Sequence, residues 1–154
     1  MALELRSAAF NDGQPIPKKF TCEGQDVSPE LAWSGAPEET KSLALIVDDP
    51  DAPSGVWVHW VIYDLPADAR GLPEGVPKDR DLRDGGRQGK NDFGKIGYGG
   101  PCPPKGPAHR YFFKLYALRE NTGLKAGASK ADLERAMKAK IVAQTTLTGK
   151  FGVI

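Results

Sequence analysis

Three stretches of this chain carry apolar runs too short for an ordinary helix and bounded by turn residues. Lys41–Asp48, KSLALIVD, is apolar almost throughout, which predicts a strand covered on both faces, as in a sandwich core. Trp57–Leu65 and His109–Leu118 predict two further strands, the second with alternating aromatics. Leu3–Ser7 and the alternating Leu31 and Trp33 suggest shorter strands. The threonines and Leu147 of Thr145–Phe151 support a final extended segment. One helix is predicted, near 129–143. Ser129 and Asp132 have the N-cap and N3 spacing of a capping box, and Leu133, Ala136, Met137 and Ile141 fall on one face that would pack on a sheet.

Eighteen glycines and 13 prolines punctuate the chain along its whole length. That spacing suits a mainly β fold of short strands and turns, organised as a single domain over 1–154. Between Pro66 and Gly97 the apolar signal fades and charges of both signs alternate. Such a run is either a solvated loop with locally paired charges or a lid or binding loop.

Composition narrows the function classes. The formal net charge is +1, with 40% hydrophobic and 27% charged residues, which argues against a nucleic-acid or membrane-surface footprint. No stretch approaches the ~20 apolar residues of a membrane span. The N-terminus lacks a basic head and apolar run, so a cytoplasmic protein is expected. Cys22 and Cys102 are expected as free thiols in that compartment. They form no metal-finger spacing with the histidines, and no metal or cofactor is expected. Cys102 has Lys105 nearby, but no cysteine-enzyme signature surrounds it.

The candidate chemistry gathers around Gly97–Leu118, a stiff glycine–proline loop that feeds a strand opening with His109, Arg110 and Tyr111. The other histidine, His59, lies in the Trp57 strand. Side chains alternate along strands, so Leu45, Val47 and Asp49 share a face, as do Trp57 and His59, and His109, Tyr111 and Phe113. If these strands are neighbours, Asp49, His59, His109 and Tyr111 surround one hole. The Gly99–Gly100 backbone and the Pro103–Pro104 loop would wall it. Each residue has a plainer reading: a turn aspartate, a core histidine, an amphipathic core tyrosine. Arg110 has the opposite parity and is expected to pair with a carboxylate such as Asp51. The set suits a small oxyanion: imidazoles and a phenol donate, and consecutive glycine amides can form a nest. Asp49 would repel an anion unless it pairs with His59 or His109.

The combined pattern resembles the phosphatidylethanolamine-binding protein family, which includes the Raf kinase inhibitor proteins. TCEGQDVSPELAW resembles the family's N-terminal signature. Asp49-Pro50-Asp51-Ala52-Pro53 with Trp57 and His59 resembles one long block. Gly99-Gly100-Pro101, Pro103-Pro104-Lys105-Gly106 and His109-Arg110-Tyr111 resemble a second. The resemblance implies an antiparallel β-sandwich with a small ligand cavity at one end, lined by Asp49, His59, His109 and Tyr111. Pro104 would stand on its wall with Gly100 close by, and Asp51, Trp57 and Arg110 would support it. It implies phosphate- or carboxylate-headed ligands and a cis Ala52–Pro53 bond. The absence of an N-terminal extension and of a longer C-terminal helix resembles the short bacterial and archaeal branch.

The function expected from these readings is a small-molecule binding protein, without turnover. The alternative is an inhibitor of a serine protease or kinase acting through surface loops. A hydrolase is the weaker alternative: an Asp–His pair could serve as base, but no serine or cysteine sits in a recognisable elbow or triad spacing. Open sheet edges would allow an oligomer.

Overall fold

The computed structural model describes residues 2–153. Two sheets make up the fold. A large sheet has the order β2-β9-β8-β4-β5-β7, and a small one the order β1-β3-β6. The long strands are β4 (Ser42–Asp49), β5 (Trp57–Pro66), β8 (His109–Leu118) and β9 (Ile141–Phe151). The small sheet is built from β1 (Glu4–Arg6), β3 (Leu31–Ser34) and β6 (Gly71–Leu72). Two-residue strands β2 (Gln14–Pro15) and β7 (Arg87–Gln88) close the edges of the large sheet. All ladders are antiparallel except the β2–β9 pair. The expected β-sandwich is what forms.

β4 is the central long strand, between β8 and β5, and every one of its residues is buried. Its apolar run follows from that position: Leu43, Leu45 and Val47 face the small sheet, with Trp60, Ile62, Phe113, Leu31 and Trp33. Ala44 and Ile46 face outward, under Leu133 and Met137 of the helix α1 (Lys130–Met137). The capping box forms in both directions, Asp132 N–H to Ser129 Oγ at 3.1 Å and Ser129 N–H to Asp132 Oδ2 at 3.2 Å. Such a cap is worth about 1 kcal/mol. The helix ends earlier than its stripe predicts, because Ile141 opens β9 while still packing beside Leu133's cluster. A second anchor was not expected. Asp48, fully buried on the outer face, receives Lys114 from β8 at 3.0 Å and Lys130 from α1 at 2.8 Å.

β5 carries two irregularities that decide what faces the core. Asp48 pairs with Val58 but Val47 pairs with Trp60, so His59 is an extra residue opposite no partner. Between Ile62 and Leu65 the ladder again gains a residue, where Asp64 takes a left-handed φ of 55°. Its carboxylate accepts Thr122 N–H at 2.8 Å. Each bulge resets the alternation, so Trp60, Ile62 and Leu65 all reach the inner core.

Two expectations are corrected. Cys22 and Cys102 are joined in a disulfide across 80 residues, so neither is a free or reactive thiol. Redox reasoning from the compartment carries no information about distance, and the fold brings the two loops together. The Ala52–Pro53 bond is trans. Pro53 follows Ala52 in a turn closed by Gly55 N–H to Ala52 O at 3.1 Å, a place where trans proline fits. Among the described residues, no helix is long and apolar enough to cross a membrane.

Candidate functional site

At the end of the sandwich where β4 finishes and β5 and β8 begin, a cavity of about 260 Å³ opens. Its position follows from strand order: β4 lies between the other two, so Asp49 stands between Trp57 and the start of β8. Asp49, Trp57, His59, His109 and Tyr111 all border it, as the parity of the three strands predicts, and Pro104 of the expected loop stands on its wall. Ala52–Ser54, Phe93, Cys102 and Pro103 complete the wall.

The glycine–proline loop is bolted to the segment after Phe20, which explains the residues of TCEGQD. Tyr98 O–H donates to Phe20 O at 2.7 Å, Cys22 N–H to Pro101 O at 3.1 Å, and Gly100 N–H to Asp26 Oδ1 at 2.8 Å. The Cys22–Cys102 bond adds a covalent tie directly behind the cavity wall. A Cβ on Gly100 would come within 2.3 Å of Phe20 O, so this position needs glycine for close backbone approach.

The polar groups have defined roles. His59 is 3% exposed, and its Nδ1 lies 2.7 Å from Gly99 O. A carbonyl can only accept, so Nδ1 carries the proton, and Nε2 of the neutral ring is an acceptor. Burial pushes the His59 imidazole below its ordinary range, against the Gly99 hydrogen bond and the charge of Asp49. His109 Nδ1 lies 2.7 Å from Asp49 Oδ2, and Asp49 Oδ1 accepts Asp51 N–H at 2.7 Å. Neither histidine Nε2 has a hydrogen-bond partner among the described residues. Tyr111, 1% exposed, has a buried hydroxyl that also lacks a partner. Burial, with the charges of Asp49 and Asp51, raises its phenol, so it remains a donor at neutral pH. The His59 ring meets the Tyr111 ring edge-on at 5.2 Å.

Some predicted residues stand elsewhere. Gly100 does not border the cavity, and the glycine nest does not form: Gly99 N–H is held by His59 O at 2.9 Å and Gly100 N–H by Asp26. Arg110 turns outward onto Asp51, as its parity predicts, with Nε and Nη2 at 2.9 Å from the two carboxylate oxygens. Asp51 also accepts Arg110 N–H, and these bonds hold its carboxyl down to about 2. The pair supports the start of β8 from outside the cavity.

Phe93 borders the cavity and was not singled out from the sequence. It is 41% exposed and meets Trp57 and His59 edge-on, each at 5.5 Å. Asn91 braces its turn, accepting Phe93 N–H at 2.9 Å and Lys95 N–H at 3.1 Å and donating to Gly97 O at 2.9 Å. Gly99 leaves room for the ring, since a Cβ there would come within 2.6 Å of it. The charged run around Phe93 holds no periodicity that could have marked one aromatic.

Comparison with known proteins agrees with this architecture. The family model for phosphatidylethanolamine-binding protein matches residues 6–152. A UPF0098 protein of Methanothermobacter thermautotrophicus is 52% identical over 97% of this chain and 98% of its own length. One from Aquifex aeolicus is 51% identical over 97% of this chain and 88% of its own. A crystal structure of a phosphatidylethanolamine-binding protein homologue from Chlamydia trachomatis superposes with a TM-score of 0.91 at 41% identity, covering 99% of both chains. Escherichia coli YbcL, described as a member of the mammalian family, gives 0.91 at 35% identity over 100% of both. With nearly its whole length matched, this chain belongs to the phosphatidylethanolamine-binding protein family.

Proposed function

We propose that the chain binds a small molecule with a phosphate or carboxylate head in the cavity beside His59 and His109, without turning it over. The observation that carries this reading is the buried, unpartnered hydroxyl of Tyr111, a residue bordering the same cavity as two histidines whose Nε2 atoms have no hydrogen-bond partner among the described residues. An oxyanion would accept from the phenol and from whichever imidazole carries a second proton, and Asp49 balances an imidazolium at His109. A protonated head group would in turn donate to the acceptor Nε2 of neutral His59. Trp57, Phe93 and the prolines supply an apolar wall for the rest of the ligand. Names in the family refer to a phospholipid head group of this chemistry.

The absence of turnover is supported by the arrangement around the Asp49–His109 pair. Ser54 borders the cavity, yet among the described residues it makes no hydrogen bond to either histidine. Cys102 is held in its disulfide. Neither of these side chains is therefore placed as a nucleophile for the pair.

Isothermal titration with phenyl phosphate tests the reading. Saturable binding is expected in the native protein, weakened about tenfold or more in His109→Ala, a loss worth about 1.4 kcal/mol or more. Equal binding by both proteins would place the ligand elsewhere, and steady release of phenol would show an enzyme instead.

A further inference from the structure

A second recess lies at the other end of β5. The cavity residues Trp57 and His59 open this strand and Leu65 and Pro66 close it, so the two ends stand about 30 Å apart at strand rise. There the 66–86 excursion runs between the edges of both sheets, lending β6 to the small one and leading into β7 of the large one. The recess it leaves holds about 710 Å³. Leu65, Leu72 and Val76 of the inner core form its floor but are themselves buried, and its accessible apolar surface comes from the part-buried Leu82 and Pro66 and the exposed Pro73 and Pro77.

The walls are fixed in place. Gln88 is fully buried and donates from its amide to Pro77 O at 2.7 Å and to Asp79 O at 2.8 Å, while its own oxygen accepts Trp60 Nε1–H at 2.8 Å. Ser28 holds the next turn, through Val76 N–H to its Oγ and Gly75 N–H to its carbonyl, both at 2.9 Å. Pro66, Pro73 and Pro77 stiffen the segment further.

The charges that line the recess are mostly acidic. Asp68, Asp79, Asp81 and Asp84 border the recess, answered there only by Arg83. The other basic residues of the loop do not line the recess, although Arg70 donates to Asp68 O at 3.2 Å on its rim. Lys78 packs its stem against Gly97, and the Arg80 guanidinium lies beside Gly127. Arg87 donates to Leu124 O at 2.6 Å and pairs with Asp81 at 3.2 Å. Among the described residues, Asp68, Asp79 and Asp84 make no ion pair.

We propose that this recess docks a peptide segment of a partner protein that carries lysine or arginine on either side of an apolar side chain. The apolar anchor would pack on Leu82, Pro66, Pro73 and Pro77 above that buried floor, and its cationic neighbours would meet the unpaired carboxylates. Isolated surface ion pairs add little, about 0–1 kcal/mol each, so charge supplies selectivity and the anchor supplies most of the affinity. A metal ion is a poor occupant: among the described residues, no group of three or more His, Cys, Asp or Glu is placed to hold one.

Panning a library of random displayed dodecapeptides on the intact immobilised protein tests the proposal. Recovered peptides are expected to be enriched in Lys and Arg flanking an apolar residue. They should bind Asp79→Asn/Asp84→Asn about tenfold or more weakly in fluorescence anisotropy, and lose affinity as salt is raised. Both aspartates are exposed, so the variant should keep the native melting temperature. Binding by His109→Ala should be unchanged, which separates this surface from the cavity at the other end of β5. Peptides without basic enrichment, equal binding by the aspartate variant, or failure to recover any binder would overturn it. So would a concentration-dependent dimer that Asp84→Lys dissociates, since the occupant would then be a second copy.

Discussion

His109 Nδ1 lies 2.7 Å from Asp49 Oδ2, a contact between side chains 60 positions apart in sequence. The carboxylate's other oxygen already takes Asp51 N–H, so Asp49 faces donors on both sides. Asp49→Asn would turn an amide N–H toward one of them, and the imidazole would lose its fixed tautomer. The variant should fold, yet bind phenyl phosphate about tenfold or more weakly by isothermal titration. Unchanged affinity would mean that the pair holds the strands together and does not orient a ligand.

The pH dependence of stability should carry the signature of His59. Burial holds its imidazole below the ordinary range, so near neutrality the unfolded chain binds a proton there that the folded chain does not. The stability contributed by the neutral ring is complete above about pH 6.5 and is lost as pH falls through the lower folded value. Urea melts of the free protein between about pH 7.5 and about pH 5.5 should show this loss, and His59→Gln should show less of it. Saturating phenyl phosphate should flatten the native profile, because an anion favours the imidazolium. Identical slopes for native and His59→Gln proteins would assign the loss to other groups.

Reduction of Cys22–Cys102 should act on both stability and binding. Releasing a tie across 80 residues removes about 4.5 kcal/mol of stability in the chain-entropy account, and about 2–4 kcal/mol is typical of measured disulfides. Because Cys102 borders the cavity, Cys22→Ser/Cys102→Ser should also bind phenyl phosphate more weakly at temperatures where it remains folded. Melts and titrations with and without reductant check both effects. Equal stability with and without reductant would show that the hydrogen bonds of Tyr98 and Gly100 suffice.

Asp48 should prove the most sensitive ionisable residue on the outer face. Asp48→Ala would strand Lys114 and Lys130 beside an apolar surface. The expected cost is about 2–3 kcal/mol, under the about 3–5 kcal/mol of a fully enclosed pair, since both ammonium groups keep some solvent contact. Asp48→Leu with both lysines changed to Met should recover most of it in urea melts. No recovery would mean that α1 depends on the charges themselves.

β4, β5 and β8 were legible because apolar runs of eight or more residues leave a period to read, whereas β9 was legible only from Thr145, since its first residues fall in the predicted helical stretch. β2, β6 and β7, with two residues apiece, carry none. Parity brought Asp49, His59, His109 and Tyr111 to one cavity. Parity alone would send Trp60 and Ile62 to the face opposite His59, and only the bulge returns them to the inner core. Gly99 and Gly100 were misread because adjacent glycines look the same whether their amides are free or engaged. Here a carbonyl and a carboxylate far away in sequence take them. The disulfide and Phe93 were hidden for a related reason: each depends on which loops meet, and local pattern does not encode that.

The bulge at His59 also bears on how such a site can change over time. The ladder between β4 and β5 steps from Val58 to Trp60 and leaves this residue outside its count. Exchanging the side chain at 59 therefore costs the sheet no cross-strand partner and shifts no neighbour out of register. A replacement at 59 that still donates to Gly99 O can therefore revise the chemistry at the cavity while the strand pairing stays as it is.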